Sequence, residues 1–235
     1  MNLGLFSEIA EDFSNVYKND PAISSRAELF FNYPGVWAIF WYRISSRLYR
    51  KGFRSIARFL MGINQMITNI DIHPGATIGR RVFIDHGFGV VIGQTAIVEN
   101  DVLIYQGVTL GGVSLTPGKR HPTIQSGVVI GAGAKVLGNI TIGANSKIGA
   151  NSVVVRNVPE NSTAIGIPAH VIQKGRDKDP FSHNKLPDIN KEMFEYLLRR
   201  VAILEHYMVQ DNKEILEQDL QLENIYESFI KAMKH

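Results

Sequence analysis

The residues with the clearest chemical potential are Asp85-His86 and Arg120-His121, with Asp71 upstream of the first pair. Histidine titrates near neutral pH, at about 6.5 when unperturbed, so it suits the removal of a proton from a hydroxyl. A carboxylate beside such an imidazole fixes its tautomer and orientation. A donor for the developing oxyanion completes a site for acyl transfer to an alcohol. His73, His86 and His121 also raise a metal reading, because zinc accepts three histidine ligands. Arg120 counts against it, since a cation next to a ligand is unfavourable. The expectation is that no metal is bound.

Spacing alone does not bring these residues together, so the elements that carry them matter. From residue 70 the chain repeats every six positions. Ile72, Ile78 and Ile84 begin the series. Ile92, Val98, Ile104 and Leu110 continue it, and Ile124, Ile130, Val136, Ile142, Ile148 and Val154 complete it. Four positions after most of these stands a small or aliphatic residue, as at Ala76, Val82, Ala96, Val102, Val108, Val128, Ala134, Ile140, Ser146 and Ser152. A period of six is neither helical nor a strand alternation. It predicts a triangular β-solenoid, with one aliphatic residue pointing inward on each flat side. Stacked turns then bury a continuous core.

The phase slips twice. Two extra residues fall around Asp85-His86-Gly87, and a longer insertion runs through residues 111–122. Irregularities in a regular scaffold are where binding and catalysis tend to sit, and each slip carries a histidine. Asp71 and His86 lie about one turn of three hexads apart, so stacking is expected to bring them close.

The flanks read differently. Residues 1–69 predict an N-terminal helical domain. Phe13, Val16 and Tyr17 fall on a first helix, and Asp20-Pro21 is expected to cap and start a second. A long helical run follows from Trp37 to Ile70, with breaks at Gly52 and Gly62. The basic series Arg43, Arg47, Arg50, Lys51, Arg54 and Arg58 reads as a solvated helix face. Residues 70–172 form the solenoid domain. Residues 173–235 are expected to be a linker and C-terminal helices, with Met193, Leu197, Val201, Leu204 and Met208 at helical spacing and a further helix from Ile215 to Met233. Packing or oligomer contact is their expected role.

Composition bounds the rest. The 235 residues are 45% hydrophobic and 20% charged, as in ordinary globular proteins. There are no cysteines, so disulfides and thiolate metal sites are excluded. The net charge of +3 is too small to argue for nucleic acid. The N-terminus lacks the pattern of a signal peptide. The apolar stretch from Leu29 to Ile44 is interrupted by Asn32, Pro34, Gly35 and Arg43, too short to span a membrane. A cytoplasmic location is expected.

From about Asp20 to Ile172 the sequence resembles the serine O-acetyltransferases. The resemblance rests on Asn19-Asp20-Pro21-Ala22, Tyr42-Arg43-Ile44, Asp71-Ile72-His73-Pro74, Asp85-His86, Gly93-Gln94-Thr95-Ala96, Thr109-Leu110-Gly111-Gly112, Arg120-His121-Pro122 and Gly166-Ile167-Pro168-Ala169. The hexapeptide repeat is shared by many acyltransferases; the Asp-His and Arg-His-Pro pairs are more specific. The resemblance implies a left-handed parallel β-helix, acetyl-CoA as co-substrate and L-serine as acceptor. It implies that His86 is the general base and that Asp71 orients it. Asp20 and Asp85 would hold the amino group, Arg120 the carboxylate, and His121 would assist. Coenzyme A would lie near Gly112, Ala132, Gly133 and Ala150. The reaction would be direct, without an acyl-enzyme.

The resemblance also implies a homotrimer with its active sites between neighbouring solenoids. The loop 111–122 would reach toward an adjacent subunit. A hexamer is the larger assembly open to the family, but the short helical domain argues against it. L-cysteine, which resembles serine, is expected to act as a feedback inhibitor. Family members that bind cysteine synthase end in isoleucine; this chain ends in Lys234-His235, so that complex is not expected. Two alternatives stay open: a hexapeptide transferase acting on another amino acid or a sugar, and a non-catalytic scaffold. Asp20 and Arg120-His121 count against a sugar, which needs no clamp for a zwitterion.

Overall fold

The computed structural model describes residues 4–20, 22–25 and 27–172, and, in a second compact unit, residues 194, 196–202 and 204. All thirteen aliphatic residues of the six-residue series are buried, none more than 6% exposed. Each sits on a short strand, and the strands stack in parallel into three sides. The first side aligns Asp71, Val91, Thr109, Lys135 and Val153 in register. The second aligns Thr77, Ile97, Thr123 and Thr141. The third aligns Phe83, Leu103, Val129, Lys147 and Thr163, and closes with an antiparallel return over Ala169–Ile172. The small residues at the fourth position of each hexad are buried at the corners, apart from the half-buried Ile140. Parallel strands this short are stable only because each coil buries the one before it.

The first coil would leave an unpaired strand edge, and the helices cover it. These are α1 (Leu5–Asn19), α2 (Glu28–Phe31), α3 (Pro34–Arg50) and α4 (Arg54–Thr68). In α3, the Tyr42 hydroxyl donates to the Ala76 carbonyl at 2.7 Å and accepts from the Ile78 N–H at 3.1 Å. Arg43 donates to the carbonyls of Ile78 (2.7 Å) and Gly79 (2.6 Å), and is paired with Asp12 of α1 at 2.9 Å. Arg43 is only 5% exposed, so it is not part of a solvated basic face; it satisfies backbone acceptors that the next coil would have used. Arg47 is likewise paired with Glu8 at 2.8 Å.

Two boundaries differ from expectation. Asp20 closes α1 rather than opening a second helix, and the next helix starts at Glu28. Gly52, with φ +94°, does separate α3 from α4, but Gly62 lies inside α4. There a glycine costs helix stability without ending the helix, because flanking residues such as Met61 pack on the core.

The third side carries a second layer on its outer surface. Phe83, Leu103 and Val129 point outward and are covered by Val16, Leu29 and Val36, with Phe13, Tyr33 and Tyr105 at the margins. This apolar stripe draws α1, α2 and the start of α3 over that side. Residues 112–119 of the long insertion are exposed and leave the wall as expected.

In the second unit residues 196–202 are helical, and Leu197, Val201 and Leu204 are about half exposed. The linker, Met193, Met208 and the segment from Ile215 to Met233 lie outside the described residues. No helix among the described residues is long and apolar enough to cross a membrane.

Candidate active site

The sequence-predicted residues gather at two different corners of the solenoid. The first corner joins the third side to the first. It contains the slip at residues 85–90, where the two extra residues bulge outward. His86 stands there exposed, with φ +58°. The left-handed region recurs at other turns of this solenoid, at Arg81, Asp101, Asn145, Asn151 and Asn161, so here it marks a turn. The corner is fixed beneath by the Gly89 N–H, which donates to the Asn69 carbonyl at 2.8 Å. Asp71 lies at its lower edge, its N–H donating to the Val90 carbonyl at 2.9 Å. Its stacking partner one coil on is Val91, because of the slip, so Asp71 and His86 share a corner without being in register. Among the described residues no hydrogen bond joins them.

Asp85 precedes His86 on the same corner and is half-buried. Its carboxyl is pushed above the ordinary range by burial, partly offset by His86, and pushed further by the neighbouring Asp20. Asp20 therefore reaches this corner from the end of α1, far away in sequence. Tyr33 and Tyr105 complete the group. The Tyr33 hydroxyl donates to Asp20 Oδ2 at 2.7 Å, and its ionisation is pushed up by burial, by that bond and by both carboxylates. Tyr105 occupies the coil above Asp85, and its ionisation is also raised, first by burial and then by Asp85 and Asp20.

Neither tyrosine belongs to the predicted set. The signal that points to them is the outward apolar stripe Phe83-Leu103-Val129, which requires a cover from the N-terminal segment.

The second corner joins the first side to the second and carries Arg120 and His121. His121 is 7% exposed, and its ring fills the space above Gly93, where a Cβ would fall 2.0 Å from ring atoms. The Thr95 N–H points at His121 Nδ1 at 3.3 Å, and Thr95 Oγ1 lies 2.8 Å from it. Thr95 Oγ1 also accepts from the N–H groups of Arg120 (3.0 Å) and His121 (3.2 Å), so its own proton is left for Nδ1. Nδ1 is thus an acceptor and Nε2 carries the ring proton. Burial, then Arg120 and Lys119, lower the affinity of His121 for a second proton. The result is a neutral imidazole with an Nε2–H donor close to Gly112, whose Cβ would lie 3.3 Å from that nitrogen. Lys119 folds back onto the carbonyls of Thr95 and His121. His73 lies one coil below, its Nδ1 accepting from the Gly75 N–H at 2.9 Å; burial and then Arg58 hold its pKa down to about 4.

His73 and His121 share the second corner while His86 lies at the first, so one chain does not bring the three histidines together. Among the described residues no group of three or more His, Cys, Asp or Glu is placed to hold a metal ion.

Ala132, Gly133 and Ala150 return to the first corner, on later coils. One ladder of backbone hydrogen bonds runs up from the His86 loop: Gly107 N–H to Phe88 O, Gly133 N–H to Gln106 O and Asn151 N–H to Ala132 O, each 2.8 Å. A Cβ on Gly107 would lie 3.4 Å from the Gly133 Cα. Ala132, Gly133 and Ala150 form a strip of small residues on this ridge, and the Asn151 amide oxygen takes the place that a Cβ on Gly133 would fill. Gly112 is apart from it, against Arg120 and His121.

A three-sided coil of stacked hexapeptides defines a protein of the hexapeptide-repeat class. The family model "Bacterial transferase hexapeptide (six repeats)" matches residues 121–156. The chain is 48% identical over 202 residues to the serine acetyltransferase of Synechococcus elongatus, covering 86% of this chain and 83% of that one. It is 46% identical to the Bacillus subtilis serine acetyltransferase, covering 91% and 99%. Solved structures agree. A serine acetyltransferase in complex with CoA superposes with a TM-score of 0.68 at 44% identity, covering 72% of this chain and 70% of that one. The soybean enzyme complexed with serine gives 0.69 at 42%, covering 72% and 69%. A complex with cysteine gives 0.70 at 44%, covering 72% and 70%.

The chain belongs to the serine acetyltransferase family, and its fold is the left-handed parallel β-helix. It is an acetyl-CoA-dependent O-acetyltransferase.

Proposed function

We propose that this chain transfers the acetyl group of acetyl-CoA to the hydroxyl of L-serine, giving O-acetylserine for cysteine biosynthesis. The observation that carries this reading is the pairing of opposite charges at the two corners: Asp20 and Asp85 at one, Arg120 and the Nε2–H donor of His121 at the other. An amino acid presents an ammonium to the first kind of group and a carboxylate to the second. His86 takes the hydroxyl proton as the oxygen attacks the thioester carbonyl, and Asp71 orients its imidazole. The carbon–sulfur bond then breaks, and CoA leaves with the proton that His86 holds. No acyl-enzyme is formed. The pantetheine arm runs along the strip at Ala132, Gly133 and Ala150, with Gly112 facing it from the other corner.

The two corners bound one flat side. Five residues at ~3.3 Å each make that side roughly 16 Å wide, whereas the ammonium and carboxylate of serine are only a few ångströms apart. The first corner of one copy and the second corner of another therefore form each complete site, which supports a homotrimer. A hexamer would need more helical surface than residues 1–69 offer. Residues 70–172 are the catalytic domain, and residues 173–235 serve as linker and helical extension. The same clamp fits L-cysteine, whose thiol replaces the acceptor hydroxyl, so cysteine acts as a feedback inhibitor. The cytoplasm, where both substrates are available, is the proposed location.

The test is thiol release from acetyl-CoA with L-serine and with a panel of other amino acids and sugars. Rapid release with L-serine alone supports the assignment. Turnover of a different acceptor with none for serine keeps the fold and the His86 chemistry but overturns the substrate.

A further inference from the structure

Asp20 sits where α1 ends and an irregular segment begins, a poor place to hold a charge steady. Yet both of its carboxylate oxygens are fixed. Oδ1 accepts from the Ala22 N–H at 2.8 Å, and Oδ2 accepts from the Tyr33 hydroxyl at 2.7 Å. The first contact is local and moves with the segment. The second ties Asp20 to another element.

Tyr33 is the residue that precedes the first turn of α3. That turn lies directly on the solenoid wall. A Cβ on Gly35 would fall 2.0 Å from the Ile84 carbonyl oxygen, so only glycine allows this approach. Ile84 is followed at once by Asp85. The backbone of Tyr33 is thereby registered against the strand end that carries Asp85, and its hydroxyl transmits that register to Asp20.

We propose that Tyr33 is the positioning residue of the ammonium subsite, holding Asp20 beside Asp85 so that two carboxylates share one substrate ammonium. This rests on the reading of Asp20 and Asp85 as the groups that bind the amino end of the acceptor. Tyr33 does not touch the reacting atoms. Its ring stays protonated near neutral pH, because burial and the two carboxylates oppose its ionisation, so it always donates. Without that donor the two carboxylates repel and Asp20 turns away. That weakens the subsite for a primary ammonium while leaving the acyl-transfer step and the CoA strip untouched.

The experiment is a double-mutant cycle on the full chain with Tyr33→Phe and Asp20→Asn, measuring kcat and both KM values. Calorimetric titration with L-serine in the absence of acetyl-CoA reads binding directly. Tyr33→Phe removes one oxygen and is expected to raise the KM for serine about tenfold, the effect of losing one charge-assisted hydrogen bond. The kcat should stay within about twofold and the KM for acetyl-CoA should not move. On the Asp20→Asn background, Tyr33→Phe should add less than about twofold.

If Asp20→Asn weakens serine and Tyr33→Phe does not, the positioning role is wrong and the subsite reading stands. If Asp20→Asn leaves serine binding unchanged, the subsite reading itself is wrong. Fully additive effects, or a Tyr33→Phe variant that raises both KM values and lowers its Tm together, would assign Tyr33 to packing and overturn the proposal.

Discussion

The imidazole of His121 occupies the place that a side chain on Gly93 would take, with a Cβ there only 2.0 Å from the ring. One coil and its long insertion separate these residues, yet glycine at one decides where the other can rest. Gly93→Ala should displace the imidazole and break its bonds with Thr95. The expected outcome is a loss of at least about tenfold in kcat/KM for serine, together with a lowered Tm from the crowded corner. Steady-state kinetics and a thermal melt of the same sample check it.

The proposed division of the site between corners of different copies makes a prediction about mixtures. His86→Ala and Arg120→Ala should each be nearly inactive alone. Unfolded together and refolded, they should recover activity, because some interfaces then combine an intact first corner with an intact second one. Recovery of none would mean that each chain builds its own complete site.

The capping pair Arg43–Asp12 is buried at 2.9 Å, and burial pushes the Asp12 carboxyl up, with Arg43 acting against that. Arg43→Met should cost about 3–5 kcal/mol, since it strands a buried carboxylate and two carbonyls. Combining it with Asp12→Leu should recover part of the loss. Urea denaturation of the three variants measures this.

His73 is held near pKa 4 in the folded chain, below its value of about 6.5 when unfolded. The unfolded state therefore binds a proton first as pH falls, so the contribution of this group to stability is complete above pH 6.5 and declines between pH 6.5 and 4. His73→Asn keeps an acceptor for the Gly75 N–H and removes the titration. Its Tm should fall less steeply over that window than that of the wild type, as measured by melts at stepped pH.

The small-residue strip predicts steric control of the co-substrate. Ala150 is exposed on the ladder that rises from the His86 loop. Ala150→Trp should raise the KM for acetyl-CoA about tenfold or more and leave serine binding unchanged, as judged by calorimetry.

Much of this was legible in the sequence. Each residue of the aliphatic series stands for one side of the coil, so the period alone determined the solenoid, its inward positions and the two irregular corners. A local repeat can be read this way because every coil contacts only its neighbours. Residue chemistry singled out Asp71, Asp85, His86, Arg120 and His121, and the resemblance supplied the handedness, the roles of those residues, Asp20 and the coenzyme A positions. The tertiary structure alone decided what met across long separations. Asp20 reaches Asp85 because an apolar stripe on the third side pulls the helices over it, and Tyr33 enters the site through the close approach at Gly35. Arg43, which read as a surface charge, became the buried cap of the first coil. Those contacts follow no period. They depend on the shape of the wall and on unpaired backbone groups at its end, which exist only once the coil has formed.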